Sequence, residues 1–220
     1  MPNILTNRVQ LFLERYFKTE RHTAMTEYPR LEGLNYQLVF PPPNQKLEAW
    51  AKLKESERRL IVYRWAEKLN DPRKADRRVT LNDAVSAFLL TLEATLQFVK
   101  DQFESTPNAP HFENWLRQQS QYDILIKGLR TLRHFEAHVE QRPPGRMIIA
   151  TIGGSNNSVS ATWHLPQLNA ADLGRLRTPP LTNAELPAWN QLAANTKVDS
   201  TFERGVVRLG EILNLAEAIV

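Results

Sequence analysis

Cysteine is absent from this chain of 220 residues. Its absence excludes a disulfide framework, a thiol nucleophile and a zinc site with cysteine ligands. Long hydrophobic runs are also missing, because no stretch approaches the roughly 20 apolar residues that a membrane-spanning helix needs. Residues 1–18 mix polar and charged side chains with apolar ones, and so they lack the unbroken hydrophobic region of a secretory signal. These absences predict a cytoplasmic protein that does not associate with a membrane.

The composition is that of a folded chain with a mildly basic character. Hydrophobic residues make up 42% and charged residues 24% of the sequence, which suffices for a sizeable core and argues against disorder. The net charge of +4 permits contact with nucleic acid without requiring it. The one dense basic run consists of Arg73, Lys74, Arg77 and Arg78. We interpret it either as a solvated loop between helices or as a patch that contacts phosphate.

Apolar residues recur at intervals of three and four, the spacing of helices that bury one face in a bundle. Helices are predicted over residues 3–18 and 45–69, from Thr80 past Phe103, and from beyond Pro110 to about Gln141. The third helix begins with Thr80-Leu81-Asn82-Asp83, which resembles a capping box. Its predicted buried stripe is Leu81, Val85, Phe88, Leu92, Thr95, Val99 and Phe103. The stripe of the fourth helix is Trp115, Tyr122, Leu125, Leu129, Leu132 and Val139.

The pattern changes after Pro143-Pro144-Gly145, which ends the fourth helix. Residues 146–152 and 159–165 are predicted to be two short strands around a turn rich in glycine and asparagine. The turn lacks the Gly-Lys-Ser/Thr ending and the following helix of a nucleotide-binding loop. The segment of about 146–165 is therefore predicted to be a β-hairpin.

The C-terminal part is again helical. Sequences resembling capping boxes occur at Thr182–Glu185 and at Ser200–Glu203, where the last helix is predicted to begin. The apolar stripe of that helix is Phe202, Val206, Leu209, Leu213, Ala216 and Val220. This face needs a cover, which the preceding bundle can provide. The predicted fold is mainly α, an up-and-down helical bundle with a small β-hairpin insertion and C-terminal helices. It forms a single domain over residues 1–220, with a bundle core at about 45–141 joined by the helix at 200–219.

Basic and imidazole side chains are concentrated near the end of the fourth helix. At about 100° per residue, they fall on the face opposite the core positions Leu129 and Leu132. The residues on this predicted exposed face are Lys127, Arg130, Arg133, His134 and His138. Glu136 falls at the border of the core face. The geometry predicts an open surface suited to an anionic ligand.

Arg133 and His138, separated by four residues late in a helical bundle, resemble the motif of the HEPN superfamily. That motif is an arginine, four to six residues and a histidine, often with a polar residue directly after the arginine, as His134 is here. The family comprises helical domains of many prokaryotic ribonuclease toxins and defence proteins. The resemblance implies a homodimer whose two motifs face each other and form a metal-independent ribonuclease site. Arg15 and His22 also fit the spacing, but they straddle the predicted end of the first helix.

The residue types fit this chemistry. His138 can act as general base or acid on a ribose 2′-hydroxyl, because imidazole titrates near neutral pH. Arg133 can hold the phosphate and stabilise the charge that develops on its oxygens. Arg130, His134 and Lys127 are predicted to be supporting phosphate contacts. RNA is the expected substrate, an antitoxin or a defence-system protein is a further candidate partner, and no cofactor is expected.

Other interpretations of the same residues stay open. His134 and His138 have the spacing of two zinc ligands on a helix, but Phe135 stands where a metalloprotease needs glutamate and no third ligand is evident. The face is alternatively an ordinary solvated surface. A different class of function is a non-catalytic helical module that binds a partner protein or nucleic acid. The tryptophans at positions 50, 65 and 115 are predicted to be core residues.

Overall fold

The computed structural model describes residues 38–69, 78–139, 145–151 and 158–220. All of these belong to one compact unit, Leu38–Val220. In chain order, the elements are α1 (Ala49–Leu69), α2 (Arg78–Ser105), α3 (Phe112–Gln118), α4 (Ile124–His138), β1 (Gly145–Thr151), β2 (Ser158–His164), α5 (Ala170–Gly174), a 3₁₀ turn (Asn183–Glu185), α6 (Leu186–Asn195) and α7 (Val198–Glu217). The predicted mainly α class is confirmed.

The core lies where α1, α2, α4 and α7 meet. Every residue of the predicted stripe on α2 is buried, and so are the five stripe positions that fall within α7. Phe88 of α2 stacks on Phe202 of α7 with ring centroids 3.8 Å apart, and Tyr63 of α1 meets the same ring edge-on at 5.3 Å. Burial of each such side chain contributes about 1.5–3 kcal/mol. The C-terminal helix is therefore covered by the earlier helices, as predicted.

The predicted fourth helix is in fact two helices. Asp123 caps α4, because its carboxylate accepts hydrogen bonds from the backbone N–H groups of Leu125 and Ile126. Residues 119–123 separate the end of α3 from the first residue of α4. The apolar periodicity continues through the break because Tyr122, which lies within it, is buried as Trp115 of α3 is. Apolar spacing alone did not reveal the interruption.

Two helices begin two residues earlier than predicted. α2 begins at Arg78 rather than at Thr80, and α7 begins at Val198 rather than at Ser200. Ser200 lies within the first turn of α7, where its hydroxyl bonds the carboxylate of Asp199. The predicted capping box at Thr182–Glu185 is confirmed, since Glu185 accepts hydrogen bonds from the backbone N–H and hydroxyl of Thr182.

The β-hairpin is confirmed to within one residue. β1 and β2 pair in antiparallel register, with Gly145 opposite His164 and Thr151 opposite Ser158.

Downstream of the hairpin, α6 packs on α4 through a contact between Trp189 and Gly128. A Cβ atom at Gly128 would lie only 2.0 Å from Cε3 of the fully buried Trp189. This close approach fixes the orientation of α4.

Several predictions fall outside the described residues. These are the helix at 3–18, the pair Arg15 and His22, and the basic run, of which only the backbone of Arg78 is described. The side chain of Trp65 is also outside, whereas Trp50 and Trp115 are buried as predicted. Within the described ranges, no helix combines the length and the apolar character needed to cross a membrane.

Candidate functional site

The site lies on the C-terminal half of α4, whose orientation follows from its buried face. Leu125, Leu129, Leu132 and Phe135 are each at most 3% exposed. With these four side chains turned inward, His138, the last residue of the helix, is exposed. Arg133 and His134 are partly exposed. We call Arg133, His134 and His138 the α4 ridge.

The two histidines of the ridge are neighbours. His134 and His138 are one helical turn apart, and their ring centroids are separated by 6.4 Å with an interplanar angle of 78°. The spacing of four residues places side chains on the same helical face. Both imidazoles can therefore reach the same small ligand from one chain.

Arg133 points elsewhere on the helix. A separation of five residues from His138 corresponds to a rotation of about 140° around the helix axis. Among the described residues, no carboxylate forms an ion pair with Arg133; Glu136 influences it only electrostatically. The Arg133 guanidinium is thus available to an anionic ligand, but not on the side of its own His138.

Arg130 corrects the prediction of an open basic face. Its side chain is buried, with the residue only 6% exposed. The guanidinium donates to Glu93 through Nε at 2.9 Å and Nη2 at 3.0 Å, and to the hydroxyl of Tyr122 at 2.8 Å. Glu113 of α3 lies at 3.3 Å from Nη2. The predicted exposure of Arg130 is wrong because α2, α3 and the turn before α4 cover it, so it is not placed to bind a phosphate.

Burial and pairing act in opposite directions on this cluster. Desolvation alone lowers the pKa of Arg130, but Glu93 more than offsets it and raises the pKa above its ordinary value. Desolvation likewise raises the pKa of Glu93, yet His134 and Arg130 outweigh it and lower the pKa to about 2. Glu93 is therefore ionised at neutral pH and Arg130 is a structural cation.

Glu93 also links this buried cluster to the ridge. Its Oε1 lies 3.6 Å from Nε2 of His134, an ion-pair distance that is longer than a good hydrogen bond. Oε1 of Glu93 thus contacts both the buried Arg130 and the partly exposed His134. Glu93 lies on α2, 37 positions before Arg130, so no local spacing in the sequence indicates its role.

Lys127 is likewise less open than predicted. Its ammonium lies 2.6 Å from a carboxylate oxygen of Glu185, and both side chains are 24% exposed. Burial raises the pKa of Glu185, but Lys127 and the backbone of Thr182 lower it by more. Because Lys127 is already paired, an incoming phosphate would have to displace this carboxylate.

Glu136 lies at the border of the core, as predicted. It accepts a hydrogen bond of 3.0 Å from the hydroxyl of Ser86, beside a small apolar pocket that includes Leu132 and Pro166. Burial raises the pKa of Glu136. Its position rules out close contact with the imidazole of His138, which lies on the far side of the helix.

Neither metal binding nor a functional role for the other histidines is supported in the part of the chain that the structure describes. Within the described residues, no three histidine, aspartate or glutamate side chains converge as metal ligands. Nδ1 of His164 lies 3.3 Å from the carbonyl oxygen of Ala193, so this ring is a packing residue between β2 and α6. His111 is exposed and precedes α3, where its side chain makes no capping bond.

No protein-family model, curated protein or solved structure matches this chain. The α4 ridge and its surroundings are therefore the basis for assigning a function.

Proposed function

We propose that this protein is a metal-independent endoribonuclease of the toxin or defence type, acting as a homodimer with a composite site. The observation that carries the proposal is the contrast within α4: His138 is exposed and Arg133 has no ion-pair partner among the described residues, whereas Lys127 and Arg130 are paired. A surface that retains an unpaired guanidinium and accessible imidazoles suits a phosphodiester.

Helical geometry supports the requirement for two chains. Because Arg133 and His138 are rotated by about 140° from each other, they are poorly placed to converge on a single phosphate from one chain. Two α4 helices related by a two-fold axis can do so, since Arg133 of one protomer can then lie beside His138 of its partner.

The proposed reaction is an internal transesterification. His138 removes the proton of a ribose 2′-hydroxyl, and the oxygen attacks the adjacent phosphorus. The bond to the 5′-oxygen breaks, and that oxygen takes up a proton from a general acid. The products are a 2′,3′-cyclic phosphate and a 5′-hydroxyl. Arg133 stabilises the negative charge that develops on the non-bridging oxygens, for which a planar guanidinium is well suited.

The test is RNA cleavage by the purified full chain in EDTA, with His138→Ala and Arg133→Ala compared with the unaltered protein. We expect His138→Ala to lower the rate by about 10²–10⁴-fold, the usual contribution of a general base. Arg133→Ala should lower it by about 10²–10³-fold, the usual loss when one charge-stabilising donor is removed. Matched controls are His111→Ala and Arg117→Ala, which remove exposed side chains of the same types at the two ends of α3. They should retain full activity.

Circular dichroism and thermal unfolding verify that the variants fold. Full activity in both His138→Ala and Arg133→Ala would refute the site. Salt-sensitive RNA binding without any cleavage would instead favour the non-catalytic binding module.

A further inference from the structure

The proposed reaction needs two proton transfers, and the α4 ridge offers two imidazoles on one face. A base must remove the 2′-hydroxyl proton and an acid must protonate the 5′-oxygen that leaves. Hydrogen-bond reach for each transfer is about 2.6–3.2 Å. Rings whose centroids are 6.4 Å apart are too distant to bond each other directly but can both reach oxygens of one phosphodiester.

The surroundings of the two rings differ. His134 lies 3.6 Å from the carboxylate of Glu93, in a contact that is an ion pair only when the imidazole carries its second proton. No described carboxylate pairs with His138, which is exposed at the helix end. A protonated His134 would thus have a carboxylate partner, whereas a protonated His138 would have none among the described residues, so His134 is the better placed of the two to serve as the general acid.

Glu93 is held rigidly in place for this role. The buried guanidinium of Arg130 donates hydrogen bonds to both carboxylate oxygens of Glu93, at 2.9 and 3.0 Å. A bidentate contact fixes the plane of the carboxylate as well as its position. Glu113 and Tyr122 hold the guanidinium in turn.

We propose that His134 and His138 of one chain are the acid–base pair of the ribonuclease, with Glu93 as the residue that positions His134. The proposal rests on the proposed function and adds the second proton-transfer group and its location. His138 accepts the 2′-hydroxyl proton as the new phosphorus–oxygen bond forms. His134 donates its proton to the 5′-oxygen as the old bond breaks, so that protons and electrons balance. Arg133 of the partner protomer supplies the charge stabilisation.

The two roles are separable with substrates that differ in their leaving group. A dinucleoside phosphate such as uridylyl-adenosine needs a general acid, because an alkoxide leaves poorly. Uridine 3′-(4-nitrophenyl phosphate) does not, because 4-nitrophenolate leaves without a proton. We expect His134→Ala to lower kcat/KM for the first substrate by about 10²–10⁴-fold and to leave the second within a few-fold. His138→Ala should slow both.

The ratio of the two kcat/KM values is the decisive readout, because it does not depend on the folded fraction of a variant. An unchanged ratio in His134→Ala, whether both rates fall or neither does, would overturn the assignment of the acid. Failure of the unaltered protein to cleave either substrate would instead overturn the proposed ribonuclease function itself.

Glu93→Gln tests the positioning residue, and Glu113→Gln is its matched control. Both carboxylates contact Arg130, but in the described structure only Glu93 also contacts His134. Glu93→Gln should therefore reproduce the selective loss on uridylyl-adenosine, whereas Glu113→Gln should leave the substrate ratio unchanged. Equal ratios in these two variants would contradict a role for Glu93 through His134.

Mixed dimers test whether the pair belongs to one chain. When His134→Ala and His138→Ala protomers are combined, no single chain retains both imidazoles. We expect activity to stay at the level of the separate variants. Restored cleavage of uridylyl-adenosine would place the acid and the base on opposite protomers and would overturn the same-chain pairing.

Discussion

Arg130 and Arg133 are one helical turn apart on α4, yet they occupy opposite environments. Arg130 is buried among two carboxylates and a tyrosine hydroxyl, whereas Arg133 is partly exposed and has no described ion-pair partner. Both are arginines on the same amphipathic helix, so neither residue type nor local spacing distinguishes them. The difference arises from the helices packed alongside, since α2 and α3 cover only the first of the two. The same helix thus supplies a structural cation and a candidate ligand-binding cation.

Removing each guanidinium in turn tests whether the two arginines differ in their contribution to stability. Arg130→Met should lower the free energy of unfolding by about 3–5 kcal/mol, because Glu93 and Glu113 would be left partly buried without their cation. Arg133→Met should change it by no more than about 0.5 kcal/mol, as is usual for a surface residue. Urea denaturation of both variants at neutral pH measures the difference. Equal losses would contradict the division of α4 into two environments.

Lowering the pH should destabilise the buried ion-pair cluster around Arg130. The pKa of Glu93 falls from 4.5 to about 2 on folding, so its stabilising contribution is fully present above pH 4.5 and is lost between pH 4.5 and about 2. A shift of this size corresponds to about 3 kcal/mol. Unfolding measured across this range should show a smaller loss of stability in Glu93→Gln than in the unaltered protein. Parallel pH profiles would contradict the shift.

The orientation of α4 is tested by Gly128→Ala. An added methyl group would lie 2.0 Å from the Trp189 ring, and relieving that overlap should cost about 1–3 kcal/mol. Gly174→Ala is the control, because a Cβ there meets nothing within 4 Å and it ends the short helix α5. Thermal unfolding should show a lower Tm for the first variant only. A neutral Gly128→Ala would mean that α6 can move away from α4 without loss.

The smallest expected effect concerns Lys127. Its side chain is less buried than that of Arg130 but, unlike Arg133, it has a described ion-pair partner. Its ion pair with Glu185 is about a quarter exposed, so Lys127→Ala should cost only about 0.2–1 kcal/mol. RNA cleavage should stay within a few-fold of the unaltered protein, because the ammonium is not free to bind phosphate. A loss of activity as large as that of Arg133→Ala would show that Lys127 belongs to the RNA-binding site.

Local sequence patterns predicted the helices better than their ends. The stripe on α2 is buried throughout, and the hairpin strands are correct to within one residue. By contrast, the break before α4 was missed, because the apolar periodicity continues through Asp123 and its cap. Ser200–Glu203 resembles a helix start but lies inside α7, whose N-cap residue Lys197 makes no side-chain capping bond.

The sequence periodicity identifies the apolar faces of α2, α4 and α7, and it places Arg133, His134 and His138 near a helix end. Periodicity carries that information because it depends only on the geometry of a single helix. Which basic side chains stay accessible depends on how the helices pack in the tertiary structure. Arg130 and Lys127 are paired with Glu93 and Glu185, which lie 37 and 58 positions away along the chain. Such pairs depend on how helices pack, and no local spacing encodes them.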